Sequence, residues 1–79
     1  MAITTVELTH PQQVGALVSG FAVIAGYRQV DLAELLGLTQ SSISARLAGR
    51  TPFTVAEVAT VASAFDIEPG DLIPAVVTP

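Results

Sequence analysis

The sequence predicts an all-α fold, arranged as a single bundle of about five short helices. Apolar residues recur at steps of three and four along most of the chain, as the buried face of a helix requires. Capping residues and glycines divide this pattern into separate runs. A chain of 79 residues, 51% of them hydrophobic, suits one core. We therefore interpret residues 1–79 as one domain.

The first helix is predicted from about Pro11 to Gly26. Pro11 suits a first helical turn, where its missing N–H costs nothing, and Gly26 suits a helix end. The apolar residues between them form one stripe: Val14, Leu17, Val18, Phe21, Ile24 and Ala25. That stripe predicts a helix of about four turns with one face packed on the rest of the domain.

Two shorter helices follow, joined by the residues GLT. The run Gln29–Leu36 is densely apolar, and Gly37 supplies the left-handed residue that closes it. Thr39 is a good N-cap for a helix from about Gln40 to Ala48. Ile43 is expected to face inward from that helix.

The segment Thr54 to Glu57 is a capping box, in which the threonine caps a helix and the glutamate bonds back to its start. It predicts a fourth helix that continues to about Phe65. The residues EPGDLI then predict one more short turn or helix, the fifth of the bundle.

The two ends of the chain are less helical in character. Residues 1–9 contain β-branched residues in loose alternation, which predicts a short strand or a loose arm. The C-terminal PAVVTP is apolar and β-leaning. The segments Ile3–Leu8 and Ala75–Val77 are therefore candidates to pair as strands, either within one chain or between two.

The region from about 29 to 48 has the helix, short glycine turn and helix of a helix-turn-helix motif. Ala33 is small enough for the two helices to lie close together, and Gly37 permits the sharp turn. Thr39 leaves a helix N-terminus facing outward, where backbone N–H groups suit a phosphate. The pattern therefore favours contact with DNA.

The residues Q-x-x-L-A-x-x-L-G-L-T-Q-S-S-I-S, then Gly49, an amphipathic helix and D-L-I, carry a family resemblance. Over Gln29 to Ile73 the chain resembles the phage Cro/repressor type of helix-turn-helix domain, also called the Xre family. This resemblance implies a five-helix, lambda-repressor-like bundle that binds double-stranded operator DNA as a dimer, with helix 40–48 in the major groove. A small Cro-like repressor of a bacterium or its phage is the expected function.

The resemblance assigns base contacts to four residues of the third helix: Gln40, Ser41, Ser44 and Ala45. Gln40 can pair with an adenine edge, whereas Ala45 offers only its methyl group to a thymine. Phosphate contacts are expected from side chains around that helix: Arg28, Gln29, Thr39, Ser42, Arg46, Arg50 and Thr51. Arg46 stands where many family members carry an apolar residue, and Leu47 is expected to take over the core position.

The charge balance is unusual for a DNA-binding domain. The chain has three arginines and seven acidic residues, and its net charge is −4. This charge argues against purely electrostatic binding to DNA. All three arginines lie between 28 and 50, together with only two of the acids, Asp31 and Glu34, so this window alone is net positive. We therefore expect moderate affinity for DNA and a shallow dependence on salt.

The acidic balance also favours an alternative, a protein-interaction module such as an antirepressor or antitoxin that keeps the fold without binding DNA. An enzyme is not predicted. Asp31 and Glu34 share a helix face, as acid/base pairs can, but no nucleophile, metal-ligand set or glycine-rich phosphate loop accompanies them. The lack of cysteine, with His10 as the one histidine, excludes a Cys/His zinc site. No cofactor and no small-molecule ligand are expected.

The N-terminal MAITTVELTH lacks the basic and apolar segments of a signal peptide, and no run of ~18 apolar residues predicts a membrane span. A cytoplasmic protein without membrane contact is expected. A homodimer, formed in solution or only on DNA, is also expected, because one short helix contacts few base pairs. Its interface is expected in the last helix and tail, Leu72 to Val77, or in the two terminal arms.

Overall fold

The computed structural model describes residues 10–74, and that range is helical without strands. Four α-helices follow one another: α1 Pro11–Ala25, α2 Gln29–Leu36, α3 Gln40–Leu47 and α4 Val55–Phe65. A short 3-10 helix, Pro69–Leu72, comes after α4. The ends predicted for the four α-helices are confirmed to within one residue. The predicted strand segments, Ile3–Leu8 and Ala75–Val77, lie outside the described residues.

The prediction of five helices is wrong, because residues 69–72 form only a single 3-10 turn, the shorter of the two forms expected for EPGDLI. Gly70 favours helices poorly, and Pro74 disfavours helical backbone at the residue before it. Ile73 is accordingly extended, with φ −113° and ψ 125°. Leu72 is completely buried in the core of its own chain, so it is not available for the dimer contact predicted over residues 72–77.

Hydrogen bonds local to the chain explain where α3 and α4 begin. Thr39 Oγ1 accepts a bond from the Ser42 N–H at 3.0 Å. Thr54 Oγ1 accepts from the Glu57 N–H, and Glu57 Oε1 accepts from the Thr54 N–H, each at 3.0 Å. Both predicted caps are confirmed, and the second is the complete capping box.

The short connection between α2 and α3 depends on Gly37, whose φ of 68° is left-handed as predicted. Ala33, one turn earlier, is buried at 5% exposure, which fits its predicted place where two helices lie close together. Leu38 packs partly buried against the core. These residues hold α3 at a fixed position relative to α2.

The core lies between α1, α2, α4 and the inner side of α3. The buried apolar side chains are Val14, Val18, Ala22, Leu32, Ala33, Ile43, Phe53, Val58, Val61, Ala62, Phe65 and Leu72. Helix α3 packs against α1 and α2, while α4 packs against α1, α2 and the 3-10 helix. Each fully buried large side chain in this set contributes about 1.5–3 kcal/mol. The outer side of α3 is left uncovered.

Helix α1 approaches the backbone of α3 closely at Gly15. A Cβ atom at this position would lie 2.3 Å from the carbonyl oxygen of Leu47 and 2.9 Å from that of Arg46. Only a residue without a side chain allows the two backbones to approach so closely. Because a glycine in a helix interior costs about 1 kcal/mol relative to alanine, Gly15 is explained by this packing.

Candidate nucleic-acid interface

Helix α3 turns one side to solvent. Helical spacing places the four predicted base-contact residues, Gln40, Ser41, Ser44 and Ala45, on that side. Gln40 and Ser41 are exposed, while Ser44 and Ala45 are half-buried. Ile43 points inward from the same helix and is completely buried, as predicted. The structure therefore brings these four residues together on one surface, which we call the α3 face.

The N-terminus of α3 lies at one end of the α3 face. Its first helical bond runs from the Ile43 N–H to the Thr39 carbonyl at 3.0 Å. The Ser42 N–H is taken by the Thr39 cap, and the Thr39 hydroxyl donates to Ser42 Oγ at 3.1 Å. The N–H groups of Gln40 and Ser41 therefore have no helical partner. Amides in this position, at the positive end of the helix dipole, suit an anion such as a phosphate.

The start of α2 carries two of the predicted phosphate contacts, Arg28 and Gln29. Both are exposed. The Arg28 Nε lies 3.2 Å from Asp31 Oδ2. The backbone N–H of Arg28 donates to the same oxygen at 2.8 Å. The bond from the Arg28 backbone has the larger effect and the bond from its side chain the smaller. Together they lower the pKa of Asp31 below its ordinary value of 3.8. Asp31 thus caps α2 and offsets the charge of Arg28.

Arg46 lies between α3 and α4, away from the α3 face. Its Nε donates to Glu57 Oε1 at 3.0 Å, and the two side chains are only 16% and 17% exposed. Its Nη1 also donates to the carbonyl oxygen of Ser42 at 3.4 Å. This geometry does not favour the phosphate contact predicted for Arg46. Leu47 packs against the core, as predicted.

The sequence predicts Glu57 as a capping residue, but it does not predict the bond from Arg46 to Glu57. The two residues are eleven positions apart and belong to different helices, so no helical or strand spacing connects them. The available signal was Arg46 itself, a charged residue at a position where the family resemblance leads one to expect an apolar one. Such a residue requires a partner when it is buried.

The loop after α3 carries Arg50 and Thr51. The backbone N–H groups of both donate to the Ala45 carbonyl, at 2.9 and 3.3 Å, which folds the loop back onto the end of α3. Arg50 is exposed and Thr51 is half-buried. Arg50 is the one arginine that forms no salt bridge with an acid inside residues 10–74. It follows the α3 face closely in the chain and remains a candidate for the predicted phosphate contact.

Neither a metal site nor a membrane span is found in the described part of the chain. No group of three or more His, Asp or Glu side chains between residues 10 and 74 is placed to hold a metal ion. None of the helices in this range has the length and apolar character needed to cross a bilayer.

Comparison with known proteins gives a family and a fold. The helix-turn-helix family model, of the Cro/C1 type, matches residues 24–72. The restriction-modification controller protein C.AhdI from Aeromonas hydrophila is similar in structure, with a TM-score of 0.72 and 26% identity over 82% of this chain and 98% of that one. No curated protein sequence matches the chain.

Two further solved structures share the fold at lower identity. The clp gene regulator ClgR from C. glutamicum has a TM-score of 0.70 and 22% identity, over 78% of this chain and 80% of its own. The hypothetical transcription factor NHTF from Neisseria has a TM-score of 0.70 and 21% identity, over 94% of this chain and 86% of its own. The family match covers more than half of the chain, and its matched residues include the capped turn and the α3 face. The chain therefore belongs to the Cro/C1-type helix-turn-helix family.

Proposed function

We propose that the protein is a sequence-specific transcriptional regulator of the bacterial cytoplasm, a small Cro-like repressor that binds double-stranded DNA. The observation that carries this proposal is the α3 face, an uncovered helix side with polar residues and two unpaired N-terminal amides. Family membership supports it, as does the name of C.AhdI, a controller protein.

In the proposed complex α3 lies in the major groove. The amide of Gln40 forms two hydrogen bonds with an adenine edge, and the hydroxyls of Ser41 and Ser44 bond to bases of either type. The methyl group of Ala45 contacts a thymine methyl. A good paired contact such as that of Gln40 discriminates against the wrong base by about 1–3 kcal/mol.

Hydrogen-bond donors of the protein contact the phosphates that flank the groove. The free backbone amides of Gln40 and Ser41 bind one phosphate. Gln29 binds a second phosphate, and Arg50 binds a third. Such contacts fix register and orientation, while the bases supply sequence preference. Because few cations take part, we expect the affinity to fall less steeply with salt than it does for a lysine-rich repressor.

The repressor acts as a homodimer, since a helix-turn-helix domain of this type needs two half-sites, one helical turn of DNA apart, for specificity. The predicted contact through residues 75–77 lies outside the described residues. Within residues 10–74, α1 offers a different surface. Val23 and Ile24 are 78% and 82% exposed, and a shallow apolar groove runs beside them, lined by Ala16, Leu17, Gly20, Phe21 and Ile24.

We assign this α1 surface to a second copy of the chain. A helix that is apolar on all sides is normally buried. Residues 20–25 of α1 contain no polar side chain, and the whole helix contains no charged one. Two copies of a chain with net charge −4 repel each other, so an uncharged face is where they can meet. In sedimentation experiments Ile24→Glu is expected to give monomers, and Val55→Glu, which changes an exposed valine on α4, to leave the dimer intact. An unaltered dimer in Ile24→Glu would place the interface elsewhere.

The DNA-binding proposal is tested by titrating fluorescent duplexes with purified protein at two salt concentrations. The duplexes come from upstream of the protein's own gene and from selection out of a random pool. We expect saturable binding that resists competitor DNA. Gln40→Ala should reduce the protein's preference for one duplex over another, and Arg50→Ala should lower its affinity for all duplexes alike. Binding that is absent at low salt, or indifferent to both substitutions, would contradict the proposal.

One observation favours a second candidate, the protein-interaction module. Arg28 and Arg46 are both paired with acids of the same chain, which leaves little free positive charge for DNA. An antirepressor or antitoxin with this fold would bind a protein partner instead. The same titration distinguishes the two, because the module gives no saturable binding to any selected duplex.

A further inference from the structure

We infer that Arg46 and Glu57 are positioning residues, which set the orientation of α3 without touching DNA. This inference rests on the proposed function, since the orientation matters because α3 lies in the major groove. It replaces the phosphate contact that the sequence suggests for Arg46, and it gives Glu57 a part in DNA recognition.

The first support is the pattern of packing around α3. The backbone of this helix comes close to those of α1 and α2 but not to that of α4. The salt bridge from Arg46 to Glu57 crosses that gap, at 3.0 Å between Nε and Oε1. Both side chains are more than four-fifths buried, so solvent weakens their attraction less than it weakens that of a surface pair.

The second support is that the acceptor is itself held in place. Glu57 Oε1 also accepts the Thr54 N–H at 3.0 Å, as part of the capping box of α4. At the other end, the Arg46 guanidinium donates to the Ser42 carbonyl of α3 at 3.4 Å. The network therefore connects the backbone of α3 to the backbone of α4 through only two side chains.

The third support is that α3 is short. Its eight residues make about two turns, and a helix of this length is held mainly by tertiary contacts. Its apolar anchors, Ile43 and Leu47, are one turn apart and lie on the same side. Arg46 is held on a different side of the helix from these two anchors, so its bond to Glu57 adds a restraint against rotation of α3 about its own axis.

A phosphate contact by Arg46 and a positioning role make opposite predictions for Glu57→Gln. The substitution keeps an oxygen that can accept the Thr54 N–H, so the cap of α4 is retained. If Arg46 contacts a phosphate, loss of the Glu57 charge releases it and strengthens DNA binding. If the pair positions α3, the same substitution weakens binding.

The test measures affinity for a selected duplex at several salt concentrations with Arg46→Gln, Glu57→Gln and the double variant. Glu34→Gln is the charge control, because Glu34 is exposed and forms no salt bridge within the described residues. If Arg46→Gln fails to fold, Glu57→Gln alone decides between the two roles, since they make opposite predictions for it.

We expect Arg46→Gln and Glu57→Gln each to weaken binding by about threefold to tenfold, with the double variant no weaker than the worse single one. The salt dependence should match that of the unaltered protein, and Glu34→Gln should not weaken binding. Two results would overturn the inference: tighter binding by Glu57→Gln, or a salt slope that falls by about 0.9 in Arg46→Gln, as the loss of one phosphate contact requires.

A second measurement separates this inference from the proposed function. The amide NMR spectrum of the free protein reports the position of α3 without DNA. We expect Arg46→Gln to shift the signals of Ser41, Ser44 and Ala45 while those of the core stay in place. If the protein binds no DNA but these shifts occur, the proposed function fails and the positioning role stands. Unshifted α3 signals would refute the positioning role, whatever the protein binds.

Discussion

Gly15 offers a direct test of how closely α1 and α3 must pack. It lies in the second turn of α1, where a Cβ atom would stand 2.3 Å from the Leu47 carbonyl oxygen and 2.8 Å from its carbon. Gly20 lies on the same helix, and a Cβ atom there would meet nothing within 4 Å. Alanine at these two positions therefore makes the same chemical change in a crowded and in an open place.

The two substitutions share one favourable term. Alanine in place of glycine stabilises a helix by about 1 kcal/mol, and Gly20→Ala should show that gain in full. In Gly15→Ala the new methyl group lies more than ~1 Å inside the distance of favourable contact. Its neighbours are backbone atoms, which cannot rotate away, so we take the upper end of the ~1–3 kcal/mol cost of overpacking. The net loss for Gly15→Ala is then about 2 kcal/mol.

Thermal unfolding followed by circular dichroism measures both variants. At about 4–8 °C per kcal/mol for a domain of this size, Gly20→Ala should raise Tm by roughly 4–8 °C and Gly15→Ala should lower it by roughly 8–16 °C. Because Gly20 lines the proposed dimer surface, both proteins are compared at a concentration where they are monomeric. Equal Tm values for the two variants would refute the close approach of α1 to α3.

Three further predictions concern the caps and the charges. Thr39→Ala should cost about 1 kcal/mol, because the start of α3 loses its cap, while Thr39→Ser should stay near the unaltered protein in urea unfolding; equal losses in both would argue against the hydroxyl bond. The lowered pKa of Asp31 in the folded state means that its stabilising bonds to Arg28 are present above pH ~3.8 and are lost as the pH falls through the folded pKa. The stability difference between the unaltered protein and Asp31→Asn should therefore shrink on acidification, and a difference that grows would contradict this sign. Asp66 has a left-handed φ of 59° at the end of α4, a conformation that glycine adopts without strain. Asp66→Gly should therefore increase the free energy of unfolding by up to about 1 kcal/mol and raise the urea midpoint. A lower midpoint would show that the Asp66 side chain forms a bond that stabilises the fold by more than this strain.

The helices could be predicted because their ends are determined by neighbouring residues. The caps at Thr39 and Thr54, and the left-handed Gly26 and Gly37, each act within about four positions in the chain. A pattern of that range is visible in a sequence without any knowledge of the fold. The α3 face follows from the same local geometry, because helical spacing alone puts Gln40 beside Ser44.

The fifth helix shows where the sequence pattern misled. The residues EPGDLI resemble a helix start with a later apolar pair, and the family resemblance also implied a fifth helix. Gly70 is a poor helix former, and Pro74 keeps Ile73 extended, so only one 3-10 turn forms. Gly70 and Pro74 are visible in the sequence. The sequence does not show, however, whether they outweigh the helical tendency of the apolar pair Leu72 and Ile73.

The sequence by itself therefore determined the four α-helices, the glycine turn and the polar side of α3, since hydrogen bonds and spacing over a few residues decide them. Only the tertiary structure decided what Arg46 and Gly15 do. Arg46 bonds to Glu57, and Gly15 meets the backbone of Leu47, across separations of 11 and 32 positions. Such contacts depend on how whole helices pack in three dimensions, which is why the sequence did not predict the bond between Arg46 and the neighbouring helix.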